Sequence, residues 1–271
     1  TRWTRKSLAR AKPPLLQEQR VARTPNKPSS GPGWQPQVPR AQTDCPGTDD
    51  DDKLPYFGDP LGPADKQCIR LASINLNNTL QNPEGDDRLF RAIHDLEINI
   101  LCMQEIGCNW SNIPKKYAFQ ERLNRTFGTH ETRSSLRHNI HDLTGTKNQW
   151  GGTGVLCKGK IKFFAMGAGG DPTGLGRWTW ARIRGKGGVN LRYVSAYCPC
   201  ENRVGTLAVW SQHKAHFHNN NDDREPRKAF LDDLRTQIKA WMDEGDQVLI
   251  CGDLNHDVSS TTITSFFEDL Q

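Results

Sequence analysis

The chain has 271 residues and a formal net charge of +5, enough for one large domain or two small ones. No run approaches the apolar length of a membrane span, which excludes a bilayer-crossing helix. The charge is uneven: residues 1–44 hold nine Lys/Arg against Glu18 and Asp44, a local +7, so the remainder carries −2 and the basic balance belongs to a tail.

That tail comes first. Eleven of the sixteen Pro residues fall by position 63 and no apolar periodicity is sustained, so residues 1–65 are expected to be a disordered basic segment, with a folded domain over 66–271. Two readings fit its charge: a solvated linker of a longer polypeptide, which we prefer, or a non-specific grip on nucleic acid phosphate. It has no apolar h-region, so no signal peptide is expected. The chain begins at Thr1 without Met and ends at Gln271 soon after an apparent helix start; it reads as a fragment.

From Cys68 the pattern turns ordered. Ile69–Leu76 reads as a strand and Asn77–Glu84 as a loop. Asp86–Glu97 reads as a helix, with Leu89, Phe90, Ile93 and Leu96 on one face and Asp86 and Asp87 at its positive end. Ile98–Met103 is an apolar strand running into Gln104 and Glu105, and residues 106–150 carry no clear pattern. Gly151–Lys158 and Ile161–Met166 read as two strands of a hairpin. Arg177–Arg184 alternates polar and apolar, Gly185–Gly188 is its turn, and Val189–Tyr197 is the returning strand. Pro226–Asp243 is the strongest helix, striped by Phe230, Leu231, Leu234, Ile238 and Trp241 and stopped by Gly245. Val248–Cys251 is a last strand. This order of elements predicts a mixed-sheet α/β domain.

Four strands share one design, an apolar run that ends abruptly in polar groups: at Asn75, at Glu105, at Tyr197, and at Asp253 with Asn255. In extended chain Asp253 and Asn255 share a face while Leu254 turns to the core, although an Asx-rich turn fits the same residues. If the four ends gather at one edge, two carboxylates, two amides and a phenol meet. Two anions about 4 Å apart repel by about 4 kcal/mol at an effective dielectric near 20, so such a pair needs a proton or a cation. Mg²⁺ suits oxygen and amide donors, with Mn²⁺ as a substitute. The shortage of Cys/His ligands argues against zinc.

In this order, S-I-N-L-N at Asn75, Gln104-Glu105, the strand G-G-T-G-V, S-A-Y-C-P and G-D-L-N resemble the endonuclease/exonuclease/phosphatase superfamily, over roughly Ile69 to Asp257. That group includes DNase I-like nucleases, apurinic-site endonucleases and retrotransposon endonucleases. The resemblance implies a four-layer α/β sandwich, incomplete here at its C-terminal end, with the site at one edge of paired sheets. It implies Glu105 as main metal ligand with Asn75 beside it. Asp253 would orient the attacking water, and Asn255 and Tyr197 would donate to the scissile phosphate. It further implies DNA as substrate and a reverse-transcriptase region elsewhere in the parent chain. The family's last motif is a C-terminal Asp-His pair, due after Gln271; His256 does not match it, so weak or no turnover is expected from residues 1–271 alone. A phosphatase acting on inositol phosphates or lipids, or a nucleic-acid-binding domain with weak catalysis, is the alternative.

Three features stay open. His213, His216 and His218 have a spacing that can bind metal, although no Cys or acid accompanies them. Arg177, Trp178 and Trp180 suit either a base-stacking groove or, as we prefer for the two Trp, the core. The eight Cys form no C-x-x-C pair and mostly lie in apolar runs, which points to an intracellular, reducing setting, nucleus or cytoplasm.

Overall fold

The computed structural model describes residues 68–81, 83–141, 145–201, 205 and 207–271. The disordered segment expected over 1–65 lies outside the described residues. What is described forms two four-stranded sheets stacked face to face, each covered by helices on its outer face. This is the four-layer sandwich that the resemblance implies.

The first sheet runs β1 (Leu71–Asn75), β2 (Ile100–Gln104), β4 (Thr153–Lys158), β3 (Thr132–Arg137). β1 and β2 are parallel, joined through helix α1 (Pro83–Asp95); β4 is antiparallel to both its neighbours. Strand β2 is buried throughout because both faces are covered. Leu101 and Met103 pack on α1 and on α2 (Phe119–Phe127) through Leu89, Phe90, Ile93, Phe119 and Leu123. Ile100 and Cys102 face the other sheet. That explains a strand that reads as a continuous apolar run instead of an alternating one.

The second sheet runs β5 (Ala165–Gly170), β6 (Trp178–Arg184), β7 (Asn190–Tyr197), β8 (Asp246–Asp253), antiparallel except for the parallel pair β7–β8. The chain crosses from β7 to β8 through α4 (Val209–Asn219) and α5 (Pro226–Asp243). Helix α5 lays its predicted stripe, Phe230, Leu231, Leu234, Ile238 and Trp241, on Trp178, Val194 and Ala196, and α6 (Thr261–Glu268) adds Ile263 and Phe266. Its start is fixed by the Glu225 carboxylate, which accepts from the backbone N–H of Arg227 and Lys228 at 2.9 Å each, with Pro226 at the first helical position. Trp178 and Trp180 pack in this helix-side core, so neither is a surface stacking residue.

The predicted hairpin over 151–166 does not form. β4 belongs to the first sheet and β5 to the second, and a four-residue helix α3 (Ile161–Phe164) turns the chain between them. The pattern of two short strands around a glycine is the same in either case; which sheet each joins is decided by long-range pairing. The patternless 106–150 stretch contains α2 and the edge strand β3. The loop expected at 77–84 holds a 3-10 turn at Thr79–Gln81 and the start of α1 at Pro83.

Candidate active site

Each sheet has one parallel pair, and parallel strands present their C-terminal ends to the same edge. Asn75 ends β1, Glu105 follows β2, Tyr197 ends β7 and Asp253 ends β8. Two contacts bring the two edges together. The Asn75 amide donates from Nδ2 to Asp253 Oδ2 at 2.8 Å, across 178 positions of sequence. The Tyr197 phenol lies beside the Glu105 carboxylate, close enough for that charge to help raise its pKa.

Each carboxylate is held differently. Asp253 accepts at Oδ2 from Asn75 and at Oδ1 from the backbone N–H of Asn255 at 3.0 Å. Its own carbonyl accepts from Cys198 N at 2.9 Å, continuing the β7–β8 ladder past its end. The strand pair is unusually close there. A Cβ on Gly252 would lie 2.3 Å from the Ala196 carbonyl oxygen, so only glycine fits in the residue before Asp253.

Glu105 sits on a left-handed backbone, φ 48°, a conformation costly for a residue with a long side chain and common at functional sites. Asn77 and Asn78 nearby, and Asn255, share that conformation. The turn is tied on both sides. Asn78 N donates to Glu105 O at 2.8 Å, and Ile106 and Gly107 donate to the carbonyls of Gly152 and Gly151 at 3.4 and 3.0 Å. Gly152 itself has φ 86°, which explains why glycines open the G-G-T-G strand.

Asn255 is also placed at this edge, but its amide is partly committed. Nδ2 donates to Cys198 O at 2.7 Å, and the Asn255 carbonyl accepts from Arg227 Nη2 at 2.7 Å. One amide N–H therefore remains for a ligand. Tyr197 is buried, and burial first, then the Glu105 charge, push its phenol well above the ordinary tyrosine range. It stays a protonated donor throughout the neutral range.

Below the edge, Gln104 bolts the sheets together. Its Nε2 donates to Ser195 Oγ at 2.9 Å and to Cys251 O at 3.4 Å, and Ser195 Oγ donates to Met103 O at 2.7 Å. Sequence reading singled out neither Ser195 nor Arg227. Ser195 carried no signal beyond its place in S-A-Y-C-P, and Arg227 none beyond the first turn of α5. Arg227 also pairs with Glu201 at 3.4 Å.

Arg177 is committed to ion pairs and offers no exposed surface to a base. It is buried, gripping Asp171 through Nε at 2.6 Å and Nη2 at 3.0 Å and reaching Asp233 at 2.9 Å, while its carbonyl accepts from Tyr197 N. The three histidines of α4 do not converge. His213 is buried, its pKa lowered to about 3 by desolvation, His216 stacks on His141 with ring centroids 4.2 Å apart, and His218 is exposed. Among the described residues no three His, Cys, Asp or Glu gather as a metal site. His256 is half-buried beside Arg227, and burial and that charge lower its pKa.

The five residues therefore supply two carboxylates, two amides and a phenol. As hard oxygen and amide donors they fit a divalent cation such as Mg²⁺. A cavity of about 520 Å³ lined by Asp86, Tyr117, Arg122 and Lys147 lies elsewhere and contains none of them.

The Endonuclease/Exonuclease/phosphatase family matches residues 72–268. No curated protein sequence matches the chain. Solved structures with a similar fold include a 3′ phosphatase, NExo, from Neisseria bound to a product DNA hairpin (13% identity, 75% of this chain and 70% of that one, TM-score 0.46). An AP endonuclease from Archaeoglobus fulgidus is similar at 12% identity, 75% and 70% coverage and TM-score 0.41. An endonuclease/exonuclease/phosphatase from Beutenbergia cavernae is similar at 14%, 74% and 53%, and 0.42.

Proposed function

Because the chain belongs to the endonuclease/exonuclease/phosphatase family, we propose that it is a divalent-cation-dependent phosphodiesterase that cuts DNA, of the retroelement endonuclease type. The observation that carries the reading is the meeting of four strand ends through the Asn75–Asp253 hydrogen bond and the placing of Tyr197 beside Glu105. Glu105, with the Asn75 amide beside it, would hold the cation, Mg²⁺ or Mn²⁺ in its place. When bound, that ion supplies Lewis-acid stabilisation of the charge that builds on the phosphate.

The chain's own groups do the rest. Asp253 has each oxygen fixed by one donor, which leaves lone pairs to accept from an attacking water. The water oxygen attacks phosphorus, its proton passes to Asp253, and the bond to the leaving oxygen breaks. Tyr197 and the remaining Asn255 N–H donate to phosphate oxygens as charge develops on them. An intracellular site of action, nucleus or cytoplasm, and a reverse-transcriptase region in the parent polypeptide belong to the same proposal.

The test is nicking of supercoiled plasmid by the intact polypeptide with Mg²⁺. Glu105→Ala and Asp253→Ala are each expected to abolish it, and normal cutting by both variants would overturn the site. Phosphate release from inositol phosphates with no nicking would instead select the phosphatase branch of the family.

A further inference from the structure

The layer between the sheets holds a second set of reactive groups. Cys102 on β2 and Cys251 on β8 both face that layer, in the cluster containing Ile100, Val155 and Tyr193. The neighbouring Cys251 sulfur, together with burial, pushes the Cys102 thiol up. The hydrogen bonds of Gln104 and Ser195 fix the approach independently: they draw β2 against β7 and β8 at this level, and one of them ends on the carbonyl of Cys251 itself.

Buried thiols are ordinarily inert small hydrophobes, and Cys108, Cys157 and Cys198 fit that description. This pair differs in two ways. The two side chains pack from different sheets into one apolar cluster, and only one of them is sealed. Cys102 is 0% exposed, whereas Cys251 is partly exposed because β8 is the edge strand of its sheet. A reachable thiol beside a resolving one is the arrangement of a thiol sensor.

We propose that Cys102 and Cys251 are a reversible oxidation site, in which a peroxide oxidises Cys251 and Cys102 closes a disulfide that ties the Glu105-bearing strand to the Asp253-bearing strand. The Cys251 sulfur attacks one peroxide oxygen, the O–O bond breaks, and the thiol proton leaves with the departing oxygen as water. The product is a sulfenic acid on Cys251. The Cys102 sulfur then attacks the Cys251 sulfur, the S–O bond breaks, and hydroxide takes the Cys102 proton as a second water. Two thiols and one hydrogen peroxide give one disulfide and two waters, and a dithiol reductant reverses the bond by exchange.

An S–S bond of about 2.05 Å is shorter than any thiol contact, so closing it draws β2 and β8 together. Cys102 lies three residues before Glu105 and Cys251 two before Asp253. The effect on cutting rests on the proposed nuclease reading; the disulfide itself does not.

The experiment is titration of the folded chain with hydrogen peroxide, followed by alkylation, proteolysis and mass mapping. A linked peptide carrying Cys102 and Cys251 is expected, lost on dithiothreitol and absent from Cys102→Ser and Cys251→Ser. Oxidation of the exposed Cys68 and Cys200 without that link, or a link from Cys102 to Cys157 in its place, overturns the proposal. In the intact polypeptide, nicking is expected to fall about a hundredfold on oxidation, as an ångström-scale misplacement implies, and to return with dithiothreitol, while Cys102→Ser resists. A link that leaves nicking unchanged removes the regulatory role. A reduced polypeptide that never nicks counts against the nuclease reading and leaves the cross-link to be judged by its mass.

Discussion

The two halves of the sandwich repeat one plan and secure it with different strength. Each delivers a carboxylate at the C-terminal end of a parallel strand pair, Glu105 from the first sheet and Asp253 from the second. The second half carries two bidentate ion-pair clusters, one beneath Tyr197 and one at the start of β8, although Arg177 Nη1 is left without a hydrogen-bond partner. Asp171 takes two prongs of Arg177 and the Thr173 hydroxyl, and Asp246 takes both Arg182 and Arg192. Among the described residues the first half has one pair of similar burial, Asp86 with Arg122, and three of its polar atoms, Asp86 Oδ1 and Arg122 Nε and Nη2, are buried with no hydrogen-bond partner beside the 520 Å³ cavity. The difference teaches that the water-orienting side is braced by more buried ion pairs, while the cation-holding side rests on one such pair and the left-handed Glu105 turn.

The sharpest way to break that division is at the carboxylates. Glu105→Gln and Asp253→Asn are each expected to slow nicking by the intact polypeptide about a thousandfold, roughly 4 kcal/mol of barrier. They should differ in ion dependence. Glu105→Gln should need far more Mg²⁺ to reach half its maximum, and Asp253→Asn should keep the original half-saturation. Equal shifts in both would show that the two halves do not divide the work.

Next in size is the support beneath Tyr197. Asp171→Asn leaves Arg177 with the partly exposed Asp233 as its charged partner beside the Thr173 hydroxyl, and breaking one buried ion pair costs up to about 3–5 kcal/mol. Thermal or urea unfolding should show that loss. Burial alone would raise the Asp171 pKa, but the Arg177 and Thr173 hydrogen bonds hold it below the ordinary carboxylate value. Its folded pKa is thus the lower one, so its stabilisation is present above pH 4 and is lost as acid protonates it. A variant as stable as the parent at pH 7 would sink the claim that this half is the better braced one.

The bridge between the halves is expected to matter less. Tyr197→Phe removes the hydrogen bond proposed to the charged phosphate, worth about 1.5–3 kcal/mol, so nicking should fall about ten- to a hundredfold. Because the phenol is held above its ordinary range, the parent enzyme should show no activity loss from tyrosine ionisation up to pH 10. A pH–rate profile falling with a group near 10 in the parent, but not in Tyr197→Phe, would contradict this.

What was legible in the sequence follows the same line between local and distant causes. The strand ends stood out because burial on both faces makes an apolar run, and a polar residue closing it is visible locally; Asn75, Glu105, Tyr197 and Asp253 all came from that contrast. The stripe on α5 was readable for the same reason. The edge strand β3 was not, since T-R-S-S-L-R is mostly polar and pairs only with β4. The β4–β5 hairpin was misread because sheet membership is a long-range choice. Arg177 read as a groove residue because the Asp171 carboxylate that buries it is known only once the loop between them is folded.

The smallest expected effect concerns Asp86, and its sign is opposite to that of Asp171. Burial outweighs the Arg122 charge and lifts the Asp86 carboxyl from 3.8 to about 6. The folded state therefore binds a proton more tightly than the unfolded one, and this group makes the fold less stable as pH rises from about 4 to past 6. A shift of about two units sets a ceiling near 3 kcal/mol, and water in the adjoining cavity should screen it to about 1. Asp86→Asn mimics the protonated side chain, so it should melt at or above the parent temperature at pH 7.5, with the gap closing at pH 5. If the variant instead loses stability at pH 7.5, attraction to Arg122 exceeds the burial cost and the first half is braced as firmly as the second.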